Sequence, residues 1–236
     1  MALPVINVPT YSVAVPSTKE EITFRPFLVK EEKILLLALE DGADESIARA
    51  IKQIIHNCTF EQVDVQHLAT FDLEFIFLRI RAKSVGETAN VQVLCEDDGE
   101  TYVEAKVPLE EVVVTFPEGH TNNIKLTDEV GVMMNYPDMN EMYKGIGEEQ
   151  NTIDFSLQLI KAAIAQVYEG EIVHERIDFT DEELTDFLES LTSEQFASIQ
   201  SFFETMPRLS HTVTVTNPNT KKKNTITLEG LNSFFV

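Results

Sequence analysis

The chain has 236 residues, 43% of them hydrophobic and 25% charged, which is ample for one large or two small globular cores. Its net charge of −22 excludes binding of nucleic acid through the phosphate backbone, because like charges repel. Two cysteines, Cys58 and Cys95, lie in different segments and build no disulfide framework, which fits a reducing compartment.

The leader Met1 to Pro9 is apolar and bounded by prolines at positions 4 and 9, so it reads as an extended arm laid over its own fold or a neighbour's. It lacks the basic and apolar regions of a signal peptide, and no later stretch approaches the roughly 18 uncharged apolar residues of a membrane span. Tyr11, Val13 and Val15 alternate with polar or small residues, as do Ile22 and Phe24, predicting a hairpin about Ser17–Glu20. A helix is expected over Lys30–Leu39, ended by Gly42. Asp44 then caps a helix with Ile47, Ala50, Ile51, Ile54 and Ile55 at helical spacing. Residues 70–84 carry two apolar stripes, one through Phe71, Phe75, Leu78 and Ala82, the other through Leu73, Ile76, Phe77 and Ile80. A helix apolar on most of its circumference belongs inside the fold.

From Ala89 the period changes to two, and Asp98-Gly99 marks a hairpin between the runs 89–95 and 102–107. Further strands are expected at 112–116 and 124–126. Tyr136-Pro137 breaks the pattern, and 138–152 reads as a loop or linker. Ile153, Leu157, Ile160, Ile164 and Val167 predict an amphipathic helix, followed by a strand over 172–179. Thr180 with Glu183, and Thr192 with Gln195, are capping boxes opening two helices over about 181–190 and 193–206. A final hairpin joins 212–215 to 225–228 across a loop holding Lys221, Lys222 and Lys223. The expected class is α+β: an N-terminal α+β domain over 1–137 with a central antiparallel β segment, the linker, and a C-terminal helical segment with its hairpin over 153–236.

No phosphate-binding glycine loop, nucleophile elbow or paired-histidine zinc helix is present. His56 and Cys58 lie near each other at a helix end, but no third group orients them, and both read as packing. The expectation is therefore no catalytic residue, no cofactor and no metal, with a metal-dependent hydrolase as the reading from another class.

The binding features lie towards the C-terminus. Between Glu169 and Glu204 stand eleven acids and one base, Arg176, on the polar side of a phenylalanine-rich helix pair. A solvated face over a local core is one reading. The other is a docking surface in which Phe187, Phe196, Phe202 and Phe203 form an apolar groove rimmed by carboxylates. Phe234 and Phe235, in an apolar tail, are candidate partner contacts as well, because a large apolar side chain gains about 1.5–3 kcal/mol on burial.

Several runs carry a family resemblance: Phe24-Arg25-Pro26-Phe27-Leu28-Val29-Lys30-Glu31-Glu32-Lys33, Leu68-Ala69-Thr70-Phe71-Asp72, Arg79 to Glu87, His120 to Thr127, and Tyr136-Pro137. Over roughly residues 1–145, and more loosely beyond, the chain resembles the baseplate protein family of T-even-type contractile-tailed phages, which holds a baseplate hub subunit and a hub assembly chaperone. The resemblance implies a non-catalytic protein of the virion tail, made in the host cytoplasm, whose partners are other baseplate hub and tail proteins and the tape-measure protein, with self-association as a further expectation. It leaves open a subunit retained in the baseplate and a transient chaperone of an apolar helical client. Relatives often place a Cys-x-x-Cys knuckle near the turn at Cys95. Here Asp98 stands in the second position, so a plain hairpin turn is expected rather than a zinc site.

Overall fold

The computed structural model describes residues 6–143 and 152–234. In chain order its elements are β1 (Tyr11–Ala14), β2 (Glu21–Phe24), α1 (Val29–Asp41), α2 (Asp44–Cys58), α3 (Thr70–Ser84), β3 (Thr88–Leu94), β4 (Tyr102–Pro108), β5 (Val113–Thr115), β6 (Asn123–Lys125), β7 (Val130–Met134) and α4 (Met139–Tyr143). There follow α5 (Thr152–Ala163), β8 (Ile164–Glu169), β9 (Ile172–Glu175), α6 (Asp181–Glu189), α7 (Ser193–Glu204), β10 (Arg208–Thr216) and β11 (Lys223–Glu229). This is an α+β fold with small antiparallel sheets. Two compact units form, one from residues 1–115 with 208–236, the other from 116–207. The linker expected from the sequence spans 138–152; of that stretch, 144–151 lie outside the described residues. The last hairpin groups with the first unit, because β10 pairs with β5 as well as with β11.

In the first unit, β1 and β2 pair from Tyr11 with Phe24 to Ala14 with Glu21. The turn between them is tied to α3: the backbone N–H and the hydroxyl of Ser17 donate to the buried Asp72 carboxylate at 3.0 and 2.6 Å. Asp72 lies in the first turn of α3, where a carboxylate suits the helix N-terminus, and it anchors the hairpin as well. α1 ends where Gly42 adopts φ 70° and returns its N–H to Ala38, a left-handed turn that suits glycine. The next helix begins with Asp44 as its first helical residue; Ala43 holds the cap position and contributes no side-chain hydrogen bond, so Asp44 does not cap it. On α3, Leu73, Ile76, Phe77, Leu78 and Ile80 are wholly buried, as the double stripe requires. Phe75 is half-buried under the Arg79 guanidinium, 4.5 Å from the ring centre. β3 and β4 form the expected hairpin, turned at Gly99 with φ 68°.

The second unit is built on one sheet in the order β6-β7-β8-β9, every neighbour antiparallel. Its core is formed by Val132 and Met134 of the sheet with Ile160, Leu184, Ile199 and Phe202 of the helices. The helix expected to run through Ile164 and Val167 stops at Ala163, and the chain passes directly into β8. The β-branched and aromatic run Ile164, Val167, Tyr168 suits a strand, and its backbone is paired on both edges, by β7 and by β9. The strand expected over 172–179 ends at Glu175 and gives way to a 3₁₀ turn, Arg176–Asp178. Both capping boxes form. Glu183 N–H donates to Thr180 Oγ1 at 3.2 Å and Thr180 N–H to Glu183 Oε2 at 2.8 Å; Thr192 and Gln195 repeat this at 3.3 and 2.9 Å.

A carboxylate-rimmed apolar pocket in the second unit

The acidic stretch identified in the sequence folds around a pocket of about 290 Å³. Val167 of β8, Phe179, and Leu184 and Phe187 of α6 supply its apolar wall; His174 of β9, Asp178 and Glu183 supply its polar lining. The capping box positions much of it. With Thr180 as N-cap, Phe179 precedes the helix and Leu184 is its fourth residue, the spacing of a hydrophobic staple. Leu184 is buried, while Phe179 and Phe187 are half-buried against the core of the unit. Arg176 fixes the entry: its Nη1 donates to the Phe179 carbonyl at 3.0 Å, its guanidinium lies 5.3 Å from the Phe179 ring centre, and it pairs with Asp181.

The acids at the mouth are held in place while keeping free oxygen capacity. Asp178 Oδ2 accepts the Glu175 N–H at 2.8 Å. Glu183 accepts the Thr180 N–H, which together with the Thr180 side-chain hydrogen bond outweighs desolvation and holds its carboxyl below the usual range. Exposed apolar residues continue outward from the lining strand and turn: Ile172, Val173 and Ile177, the last 93% exposed. The arrangement can take an apolar side chain whose neighbours carry positive charge.

The candidate phenylalanines divide. Phe187 lines the pocket. Phe196 and Phe203, half-buried, pack on the same core. Phe202 is inside that core, edge-on to Phe203 at 5.2 Å, and offers no surface. It stacks on Tyr136 at 5.6 Å and lies 5.2 Å from His120, whose ring nitrogens bond Thr205 Oγ1 at 2.9 Å and Tyr136 Oη at 3.0 Å. Burial lowers the His120 pKa. Two of the runs that carried the family resemblance thus meet around Phe202. Phe234 is buried in the first unit, and Phe235 lies outside the described residues. The sequence reading missed Phe179, Leu184, Val167, His174 and Asp178. The staple spacing about Thr180 was the signal for the first two; the others come from strand pairing.

Elsewhere, Cys95 is buried, and Asp98 accepts from the Thr101 hydroxyl and N–H and from Asn217 Nδ2, at 2.6, 3.1 and 2.8 Å. Among the described residues, no group of three His, Cys, Asp or Glu side chains is disposed to hold a metal ion. Burial pushes the Cys58 thiol up to about 11, and a thiol protonated at neutral pH is a poor nucleophile. Among the described residues, no helix is long and apolar enough to cross a membrane.

No curated protein and no solved structure gives a match. A family model described as T4 bacteriophage base plate protein matches residues 8–236. That span is nearly the whole chain and takes in both folded units and the pocket, and the protein belongs to the T4 bacteriophage base plate protein family.

Proposed function

We propose that the protein is a non-catalytic subunit of the baseplate hub, retained in the virion tail, that acts in baseplate assembly through contacts with other hub and tail proteins. The observation that carries this reading is the pocket of Phe179, Leu184 and Phe187 with acids at its mouth, which suits a basic, apolar segment of a neighbouring protein. Family membership supports the location in the tail. The protein would be made in the host cytoplasm and meet its neighbours there. An open apolar pocket also suits a transient chaperone that holds an apolar helical client, such as the tape-measure protein, and then leaves.

Quantitative mass spectrometry of purified mature virions and of assembly intermediates separates the two. Stoichiometric presence in the virion is the expected result. Presence in intermediates alone would replace the subunit by the chaperone.

A further inference from the structure

The first unit carries an apolar helix face with nothing over it among the described residues. α1 turns Glu31 and Ala38 inward and leaves Val29 82%, Leu36 55%, Leu37 54% and Leu39 48% exposed. This helix is not part of the pocket or of the acidic stretch around it. Leu36 and Leu39 stand at the three-residue spacing of neighbouring a and d positions in a short coiled-coil seam. Lys33 and Glu40 lie seven residues apart on one flank of that seam, both exposed. Among the described residues neither has an ion-pair partner within the chain.

We propose that α1 is a self-association surface through which two copies of this chain pair antiparallel. The charge pattern chooses the occupant. In an antiparallel pair, residues on the same flank of the two helices face each other. With the two-fold axis at the level of Leu37, Leu36 of each copy lies over Leu39 of the other, and Lys33 of each copy lies beside Glu40 of the other. The leucine layer and the ion pair each form twice, as an isologous interface requires. A parallel pair loses this match, because the flank holding Lys33 and Glu40 then faces Leu28 and Leu35 of the other copy. The surface is small, so the dimer is weak and its population follows protein concentration.

Sedimentation equilibrium of the full-length chain over about two decades of concentration tests the proposal. The parent is expected to pass from monomer to dimer. Replacing Leu36→Gln and Leu39→Gln together, both at exposed positions, should weaken the dimer about tenfold or more. Lys33→Glu alone and Glu40→Lys alone should each weaken it, since each sets like charges opposite one another twice. An equimolar mixture of those two single variants should recover a heterodimer, because the introduced carboxylate then faces the introduced ammonium. Circular dichroism confirms that each variant is folded. A parent that stays monomeric throughout, a dimer unchanged by these substitutions, or a mixture without recovery overturns the proposal.

Discussion

Arg25 and Glu31 meet through two near-parallel hydrogen bonds, Nη2 to Oε1 at 3.0 Å and Nη1 to Oε2 at 3.2 Å, with the Glu31 side chain wholly buried. Arg25 also donates to the carbonyls of Pro26 at 2.9 Å and Asn57 at 3.3 Å, and Glu31 accepts the Leu28 N–H at 2.9 Å. One ion pair therefore joins the exit of β2, the start of α1 and the end of α2. A buried fork of this kind fixes geometry more than it adds net stability, because desolvation offsets much of the attraction.

Removing one partner strands the other, so Glu31→Gln should destabilise the protein by about 3–5 kcal/mol at pH 7. The pH dependence follows from the Glu31 carboxyl. Burial raises its pKa, but the hydrogen bond from Arg25, that from the Leu28 N–H and the attraction of Arg25 and Lys30 together outweigh burial, and the net shift is downward. A depressed carboxylate contributes stability above its unfolded value and loses it as pH falls through the folded value. Urea unfolding of parent and variant should therefore differ at pH 7 and converge in acid. A constant difference across that range would show that the charge of Glu31 does not matter.

Glu74 on α3 runs the opposite way. Its carboxylate is buried and accepts one N–H, from Leu231 at 3.3 Å, and burial outweighs that bond and raises its pKa to about 7. The native state then holds a proton that the unfolded chain releases near 4.5, so stability is present below that value and is lost as pH rises towards and through 7. Glu74→Gln keeps an acceptor for Leu231 and removes the cost of ionisation. It should stabilise the protein by roughly 2–3 kcal/mol at pH 8 and change little at pH 4. Equal effects at both pH values would place the carboxylate in contact with water.

What the sequence revealed follows from which signals are local. The capping residues Thr180 and Thr192 bond within four residues of themselves, and α3 is apolar on nearly every side, so both were legible. Ile164 and Val167 satisfy helical spacing with Ile160, yet β7 pairs the backbone at both and β9 pairs Val167 on the other edge, and spacing cannot register a ladder between distant segments. The same limit hid the burial of Glu31, which brings β2 and the end of α2 onto the start of α1, and of Glu74, which meets Leu231 near the other end of the chain. It also left the phenylalanines of α6 and α7 undivided: helical pattern puts Phe187 and Phe202 on apolar faces, and only tertiary packing leaves one at a pocket and the other inside.

Gly131 on β7 offers a test of the second unit. A Cβ there would meet the Tyr168 ring and stand 2.8 Å from the Ile124 carbonyl oxygen. The ring could shift, although its hydroxyl donates to Asn123 Oδ1 at 2.6 Å, but the carbonyl belongs to the β6–β7 ladder and cannot. Gly131→Ala should cost about 1–3 kcal/mol as overpacking. A thermal melt unchanged from the parent would mean that the sheet opens more easily than this geometry allows.

The pocket makes the last prediction, because its apolar and charged parts should act on separable observables. Phe187 is half-buried at the wall, and shortening it removes apolar contact whatever the salt. Asp178 and Glu183 are exposed, so their attraction for a basic segment is screened over a Debye length of about 8–10 Å at physiological salt. Amides at both positions keep an oxygen for the Glu175 and Thr180 N–H groups, so Asp178→Asn with Glu183→Gln should leave the turn and α6 in place. In binding assays of the full-length chain with co-expressed hub proteins, Phe187→Ser is expected to weaken association at low and high salt alike. The double amide variant should weaken it at low salt and match the parent at high salt, because the lost interaction is the one that salt already removes. If both variants retain the parent's affinity and salt dependence while remaining folded, the docking surface lies outside this pocket.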